Sequence, residues 1–141
     1  MDEQTYIKER LNEQIEWYDI KSKDSQKKFK LSKYFVISAS AIIPFLVNLN
    51  IESIFIRVVV SALGIVITIS ESIVSLNKYN ENWIEYRTVC ETLKHEKYMY
   101  LNGSGVYSDE ENRFNFFVER IESIISQENV NWASLNKEKK K

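Results

Sequence analysis

Two long apolar runs, separated by a short polar turn, dominate the pattern of this chain. The first covers 34–51 without one charged side chain, and the second covers 54–77 with only Arg57 and Glu71 inside it. A membrane-spanning helix needs about 20 predominantly apolar residues. The pattern therefore predicts two spans joined as a helical hairpin. The alternative, a soluble helical bundle, would give each helix a polar face.

The segments that flank the hairpin predict further helices. Residues 1–33 place apolar side chains at three- and four-residue spacing among charged ones, which indicates an amphipathic helix. Residues 78–101 continue the second run without a stop signal and carry a heptad seam, which is typical of helix–helix packing. The seam consists of Tyr79, Trp83, Tyr86, Cys90, Leu93, Lys97 and Tyr100. Its partner is either the amino-terminal helix of the same chain or a second subunit, and the spacing leaves both open.

A loop and a third helix complete the predicted fold. Gly103 or Gly105 is expected to end the long helix as a left-handed cap. Ser108 and Glu111 have the spacing of a capping box, which predicts a helix over 108–128. Residues 133–141 form a basic tail. The fold class is therefore all-α, with a two-transmembrane hairpin whose helices extend into a cytoplasmic helical bundle, and a shorter carboxy-terminal helix.

Charge is distributed unevenly, although the net charge is only −1. Six lysines between 21 and 33 precede the first apolar run, which places that flank in the cytoplasm by the positive-inside rule. Two spans then return the carboxy terminus to the cytoplasm, so the expected location is the inner (plasma) membrane, with lipid as a partner. The near-zero net charge argues against a nucleic-acid partner.

One face of the second run carries small and polar residues. They are Ser61, Gly64, Thr68, Glu71 and Ser75, which we call the polar stripe. Such a stripe lets helices approach closely in a membrane, or lines an aqueous path when several copies surround an axis. Within a pore, Glu71 would favour cations. Alternatively, Glu71 lies at the headgroup level or pairs with Lys78.

Residue patterns for enzyme chemistry are missing from the sequence. Cys90 and His95 have no neighbours at metal-ligand spacing, and three glycines cannot supply a phosphate-binding loop. A single cysteine fits a reducing compartment. We therefore expect no enzyme activity, no metal and no cofactor.

A further set of residues is spread along the chain, and it comprises Arg10, Gln14, Trp17, Tyr18, Asp19, Pro44, the run 82–87 with Trp83 and Arg87, and then Glu91, Leu93, Glu96 and Tyr107. In these residues the chain resembles the SLATT superfamily of small prokaryotic two-transmembrane proteins. The most specific part is Trp83, Arg87, Glu91 and Glu96. The resemblance extends from Tyr6 to Trp132 and implies one domain over 1–132.

The resemblance implies a membrane effector of a prokaryotic conflict system, which perturbs the membrane or forms a pore after a signal. We therefore expect a homo-oligomeric, ion-conducting or permeabilising module, with a separate signalling or sensor protein supplying the trigger. The alternative is a non-conducting membrane scaffold whose cytoplasmic helices bind a partner protein. In either case, Arg87 is predicted to form an interhelical bridge with Asp19 or Glu16.

Overall fold

The computed structural model describes residues 2–48, 53–108 and 112–138, with side chains up to Gln127 in the last range. This part of the chain is helical with no strand, so the predicted all-α class is confirmed. The elements are α1 (Glu3–Thr5), a π-helical segment (Tyr6–Leu11), α2 (Asn12–Asn48), α3 (Ile54–Asn77), α4 (Tyr79–Leu101), a 3₁₀ turn (Gly105–Tyr107) and α5 (Arg113–Glu138).

The chain divides into two compact units, whose boundaries fall within α2 and α4. The bundle unit comprises Met1–Ser22 and Ile84–Lys141, and the hairpin unit comprises Lys23–Trp83. Each unit has its own pattern of burial.

The bundle unit has a core rich in aromatic side chains. Its buried members are Tyr6, Leu11, Tyr18, Cys90, Leu93, Tyr100, Tyr107, Phe117, Ile121 and Ile125. The rings of Tyr100 and Phe117 stack with centroids 4.1 Å apart and planes at 15°. Cys90, Leu93 and Tyr100 belong to the heptad seam. Since they share this core with Leu11 and Tyr18, this part of the seam packs against the amino-terminal helix of its own chain.

The hairpin unit is built on two matching heptad patterns. On α2, the less exposed positions alternate by four and three residues: Ser25, Phe29, Ser32, Val36, Ala39, Ile43 and Leu46. On α3 and its N-cap residue, the corresponding positions alternate by three and four residues: Ser53, Ile56, Val60, Leu63, Ile67, Ser70 and Val74. This spacing is that of two helices packed side by side, as in a coiled coil. Only one narrow face of each helix is covered, and the remainder is exposed.

The helix ends differ in part from the prediction. The sequence marks no stop before Asn102, but Lys78 adopts φ 49° and ψ 41° and separates α3 from α4. Because lysine has no special preference for this left-handed conformation, the sequence gives no sign of the break. The cap at Gly103 is confirmed. Gly103 N–H donates to the Tyr100 carbonyl and Ser104 N–H to the Met99 carbonyl, which is the Schellman arrangement.

The predicted start and end of the last helix are wrong. α5 begins at Arg113, and the Ser108 hydroxyl donates to the Gly105 carbonyl oxygen at 2.9 Å. Ser108 therefore closes the 3₁₀ turn and does not cap α5. α5 continues to Glu138, past the predicted end at 128 and into the predicted tail. Glu111, 49–52 and 139–141 lie outside the described residues.

Candidate functional site

Few residues in the apolar parts of α2 and α3 are buried. The helical stretch that ends at Asn48 contains an 18-residue window with a mean hydropathy of 1.4. Of that window, 6% is buried inside the protein. The stretch that begins at Ile54 contains a window with mean hydropathy 2.1, of which 0% is buried. A core helix of a soluble protein buries its apolar residues. Both helices are long and apolar enough to cross a membrane, and the fold covers only one narrow face of each.

The polar stripe lies on the flank of α3, beside the packed heptad face. Each stripe position follows a covered position by one residue, which rotates it by about 100° around the helix. Gly64 and Glu71 are half-buried at the border, whereas Ser61, Thr68 and Ser75 are exposed. The stripe therefore forms part of the outer surface of the hairpin.

Two stripe hydroxyls are hydrogen-bonded within the helix. Ser61 Oγ donates to the Arg57 carbonyl and Thr68 Oγ1 to the Gly64 carbonyl, both at 2.9 Å. Each of these two hydroxyls donates its hydrogen to a backbone carbonyl, so both tolerate an apolar environment. Their oxygens retain lone pairs that accept from water or coordinate a cation.

Glu71 pairs with a residue that the sequence did not suggest. Lys33 Nζ lies 2.7 Å from Glu71 Oε2 and 2.9 Å from Oε1. Lys33 therefore forms the ion pair with Glu71 that one alternative had given to Lys78. Lys33 immediately precedes the charge-free run of α2. Glu71 therefore lies level with the beginning of the first apolar run.

Arg87 makes two ion pairs in the bundle unit. Its Nη1 lies 3.6 Å from Asp19 Oδ1, and its Nη2 lies 3.0 Å from Glu91 Oε1. The predicted bridge from Arg87 to Asp19 is therefore present. Because half of the Arg87 side chain is exposed, solvent screening limits the stabilisation from each pair to about 0–1 kcal/mol.

Trp83 belongs to the hairpin unit, whereas Arg87, Glu91 and Glu96 belong to the bundle unit. Its ring is 6.5 Å from the ring of Phe29, and Lys30 Nζ lies 5.6 Å from the indole centroid. Trp83 supports the lysine-rich part of α2, while Asp19, Arg87 and Glu91 connect helices of the bundle unit.

Glu96 is the buried charge of the bundle unit, with 6% of its surface exposed. Arg120 Nε donates to its carboxylate at 2.9 Å, and the Tyr107 hydroxyl donates to the same carboxylate. The hydrogen bonds from Arg120 hold the pKa of Glu96 below its ordinary value against the opposing effect of burial. Burial, together with the bond to Glu96, raises the pKa of Tyr107.

A second carboxylate cluster repeats this arrangement at the amino terminus. Arg10 Nε and Nη2 donate to the two oxygens of Glu122 at 3.0 and 2.9 Å, and Tyr6 Oη donates to Oε1 at 2.9 Å. These bonds, from Arg10 above all, lower the pKa of Glu122. The sequence pattern includes Arg10, Glu96 and Tyr107 but does not pair them. The partners on α5 are more than twenty residues away, and no local spacing signals such contacts.

Cys90 and His95 lie in different environments. Cys90 is fully buried, its Sγ lies 3.6 Å from the Ile15 carbonyl oxygen, and burial raises the pKa of its thiol. A raised pKa leaves less of the reactive thiolate at neutral pH. His95 lies exposed on α4, in an open groove with Arg87, Thr88, Glu91 and Thr92. The structure therefore gives Cys90 a packing role.

Comparison with known proteins gives a family but no activity. No curated protein and no solved structure matches the chain. A family model described as a protein of unknown function, DUF4231, matches residues 13–115. The match covers both apolar helices, α4 and the start of α5, and so extends over both units. This chain belongs to the DUF4231 family.

Proposed function

We propose that this protein is a membrane-embedded homo-oligomer that conducts ions or permeabilises the bilayer. The single observation that carries the proposal is the exposure of the apolar window on α3, of which 0% is buried. Exposed apolar surface of this extent is unfavourable in water and marks a membrane or association surface. Acyl chains would cover it, while the helical backbone satisfies its own hydrogen bonds.

The dimensions of the hairpin support this placement. α3 has 24 residues, which corresponds to about 36 Å and exceeds the roughly 30 Å of a bilayer's hydrocarbon core. Lys33 and Glu71 lie at one end of the apolar part, and Arg57 lies near the other. Long side chains at such positions extend their charges to the headgroups. The lysine-rich flank is assigned to the cytoplasm, with both termini on that side.

The polar stripe supports conduction through an oligomer. A single hairpin cannot enclose a path, but several copies around an axis would turn Ser61, Thr68 and Ser75 towards it. Gly64 lies on the same flank, and a Cβ added to it would meet nothing within 4 Å. A neighbouring helix would therefore approach most closely there. The SLATT-like motif residues add the expectation of a conflict-system effector that responds to a separate sensor protein.

Two observations favour the alternative of a non-conducting scaffold. The carboxylate of Glu71 is matched by Lys33 in the same subunit, so a ring of such pairs would carry no net charge to attract cations. The bundle unit also exposes Tyr98, Leu101 and Val106 to between 53% and 62%. These side chains would provide contacts for a partner protein.

Ion flux from reconstituted vesicles distinguishes the two functions. Thr68→Val replaces the hydroxyl with a methyl group at nearly constant volume, and we expect it to reduce flux at least severalfold. Thr88→Val is the matched control, because Thr88 donates to its i−4 carbonyl in the same way but lies in the bundle unit. Flux that is equal in both variants would exclude the stripe as the path. Inserted protein that passes no ions, with or without cell extract containing the trigger, would favour the scaffold.

A further inference from the structure

We infer that the lysine-rich end of the hairpin unit binds anionic phospholipid headgroups along one row of lysines on α2. The row consists of Lys23, Lys27 and Lys30, and we call it the lysine row. The inference rests on the proposed membrane placement of the hairpin and adds a ligand class to it. It concerns the lipid composition that the protein selects, which the conduction proposal leaves open.

The lysine row is a continuous surface that leads to the apolar face. Its members are four and three residues apart, so they lie on one side of the helix, and all three are exposed. The next position in the same register is Tyr34, which is 65% exposed. It lies about 6 Å further along the axis. A phospholipid whose phosphate lies at Lys27 or Lys30 would therefore place its acyl chains beside Tyr34 and the apolar side chains beyond it.

The local charge favours an anion at this surface. Between 23 and 33 the chain has five lysines and a single acidic residue, Asp24. Lys28 binds Asp24 at 2.7 Å, and Lys33 binds Glu71. Among the contacts of the described residues, Lys27 and Lys30 have no carboxylate partner. Their charges are therefore available to a ligand.

The indole ring of Trp83 lies beneath one member of the lysine row. Lys30 Nζ lies over its indole ring at 5.6 Å, and Phe29 lies beside the ring. Tryptophan is enriched at the headgroup level of membranes, and a cation over its face is held by attraction to the ring. Both features point to the interface with lipid. The lysines and the exposed apolar face together suit an amphiphile with a negative headgroup better than a free phosphate.

The test uses Trp83 as a reporter in vesicles. In Trp17→Phe/Trp132→Phe protein, quenching of Trp83 fluorescence is compared for brominated phosphatidylglycerol and brominated phosphatidylcholine in mixed vesicles. Each lysine near an anionic surface contributes up to about a fivefold preference. We therefore expect stronger quenching by the anionic lipid, which Lys23→Gln/Lys27→Gln/Lys30→Gln abolishes. The matched control, Lys23→Arg/Lys27→Arg/Lys30→Arg, keeps the charge and should retain the preference.

The possible results separate this inference from the proposed function. Equal quenching by both lipids would overturn the inference while showing that the hairpin is inserted. No quenching by either lipid would overturn the membrane placement, and the inference with it. Free glycerol phosphate, the same headgroup without acyl chains, should not displace the brominated lipid. Displacement at matched concentration would mean a soluble phosphate site and would also overturn the inference.

Discussion

Lys33 and Glu71 form an ion pair that joins α2 to α3, with 2.7 Å between Nζ and Oε2. Lys33 lies about four turns before the end of α2, and Glu71 lies about five turns after the start of α3. Their contact therefore aligns the two helices antiparallel. It also places both charges of the pair at the same end of the exposed apolar surface.

The first prediction concerns the coupling free energy between Lys33 and Glu71. Both side chains are about two-fifths exposed, and such a pair in water contributes at most about 1 kcal/mol. At a lipid interface, where water is depleted, we expect the coupling to exceed this value. A double-mutant cycle with Lys33→Gln and Glu71→Gln, measured by unfolding in bicelles, gives the coupling free energy directly.

The exposed pair of Lys28 and Asp24 is the matched control for that cycle. It has the same 2.7 Å separation but lies four residues apart on one helix, with both side chains about half exposed. We expect its coupling to be about 0.3–0.5 kcal/mol. If the two cycles gave the same coupling, Lys33 and Glu71 would be in a fully aqueous environment.

Glu96 should make the bundle unit sensitive to acid. Its pKa is lowered in the folded state, mainly by Arg120, from an ordinary value of 4.5. The stability that it contributes is therefore present above pH 4.5 and is lost as the pH falls through the folded-state pKa. Glu96→Gln should lower the free energy of unfolding at neutral pH by about 1–3 kcal/mol and flatten the acid limb of a pH–stability curve.

The matched control for Glu96→Gln is Glu91→Gln. Glu91 is exposed on the same helix and pairs with Arg87 and Lys94, so its removal should cost less than about 1 kcal/mol. An equal loss in the two variants would contradict the role given to the buried carboxylate.

Two glycines should respond in opposite directions to the same substitution. Gly105 has φ +63°, and a Cβ there would lie 2.6 Å from Met99 Cε, so Gly105→Ala should destabilise the protein by about 1–2 kcal/mol. Gly64 is helical and has free space for a Cβ, so Gly64→Ala should stabilise the subunit by up to about 1 kcal/mol. Thermal unfolding of the two variants in the same detergent checks the signs.

A larger side chain at Gly64 tests the assembly of subunits. Gly64→Ile should leave the helical content unchanged, because there is open space around this position. It should nevertheless shift the oligomer towards smaller species, since a bulky residue prevents close helix approach. Mass measurement in detergent by light scattering follows the change, with Ile65→Leu as the control. An unaltered mass would exclude the Gly64 flank from the subunit interface.

The sequence predicted the features that depend on local patterning. Charge-free runs predicted the long apolar helices, and the glycine pair predicted the cap at Gly103. The heptad seam predicted that Cys90, Leu93 and Tyr100 face inward. These succeed because helical periodicity and the preference of glycine for a positive φ are properties of neighbouring residues.

Two of the remaining features depend on contacts between distant parts of the chain. The pairs Lys33–Glu71 and Glu96–Arg120 join residues 38 and 24 positions apart. From the sequence alone, many other cationic side chains were equally good candidates to pair with each carboxylate. Lys78 adopts a conformation that its own side chain does not favour. Ser108 had the right spacing for a cap, but its hydroxyl binds the preceding turn instead. Tertiary packing therefore sets the two ion pairs, whereas the hydrogen bond of Ser108 is set within its own turn.

Flotation with lipid vesicles after an alkaline wash tests the placement of the hairpin in the bilayer most directly. The protein is expressed without detergent, mixed with vesicles or isolated with native membranes, washed at high pH and centrifuged in a density gradient. We expect it to rise with the lipid and to require detergent for extraction. A monodisperse protein that stays in the aqueous fraction throughout would contradict the account.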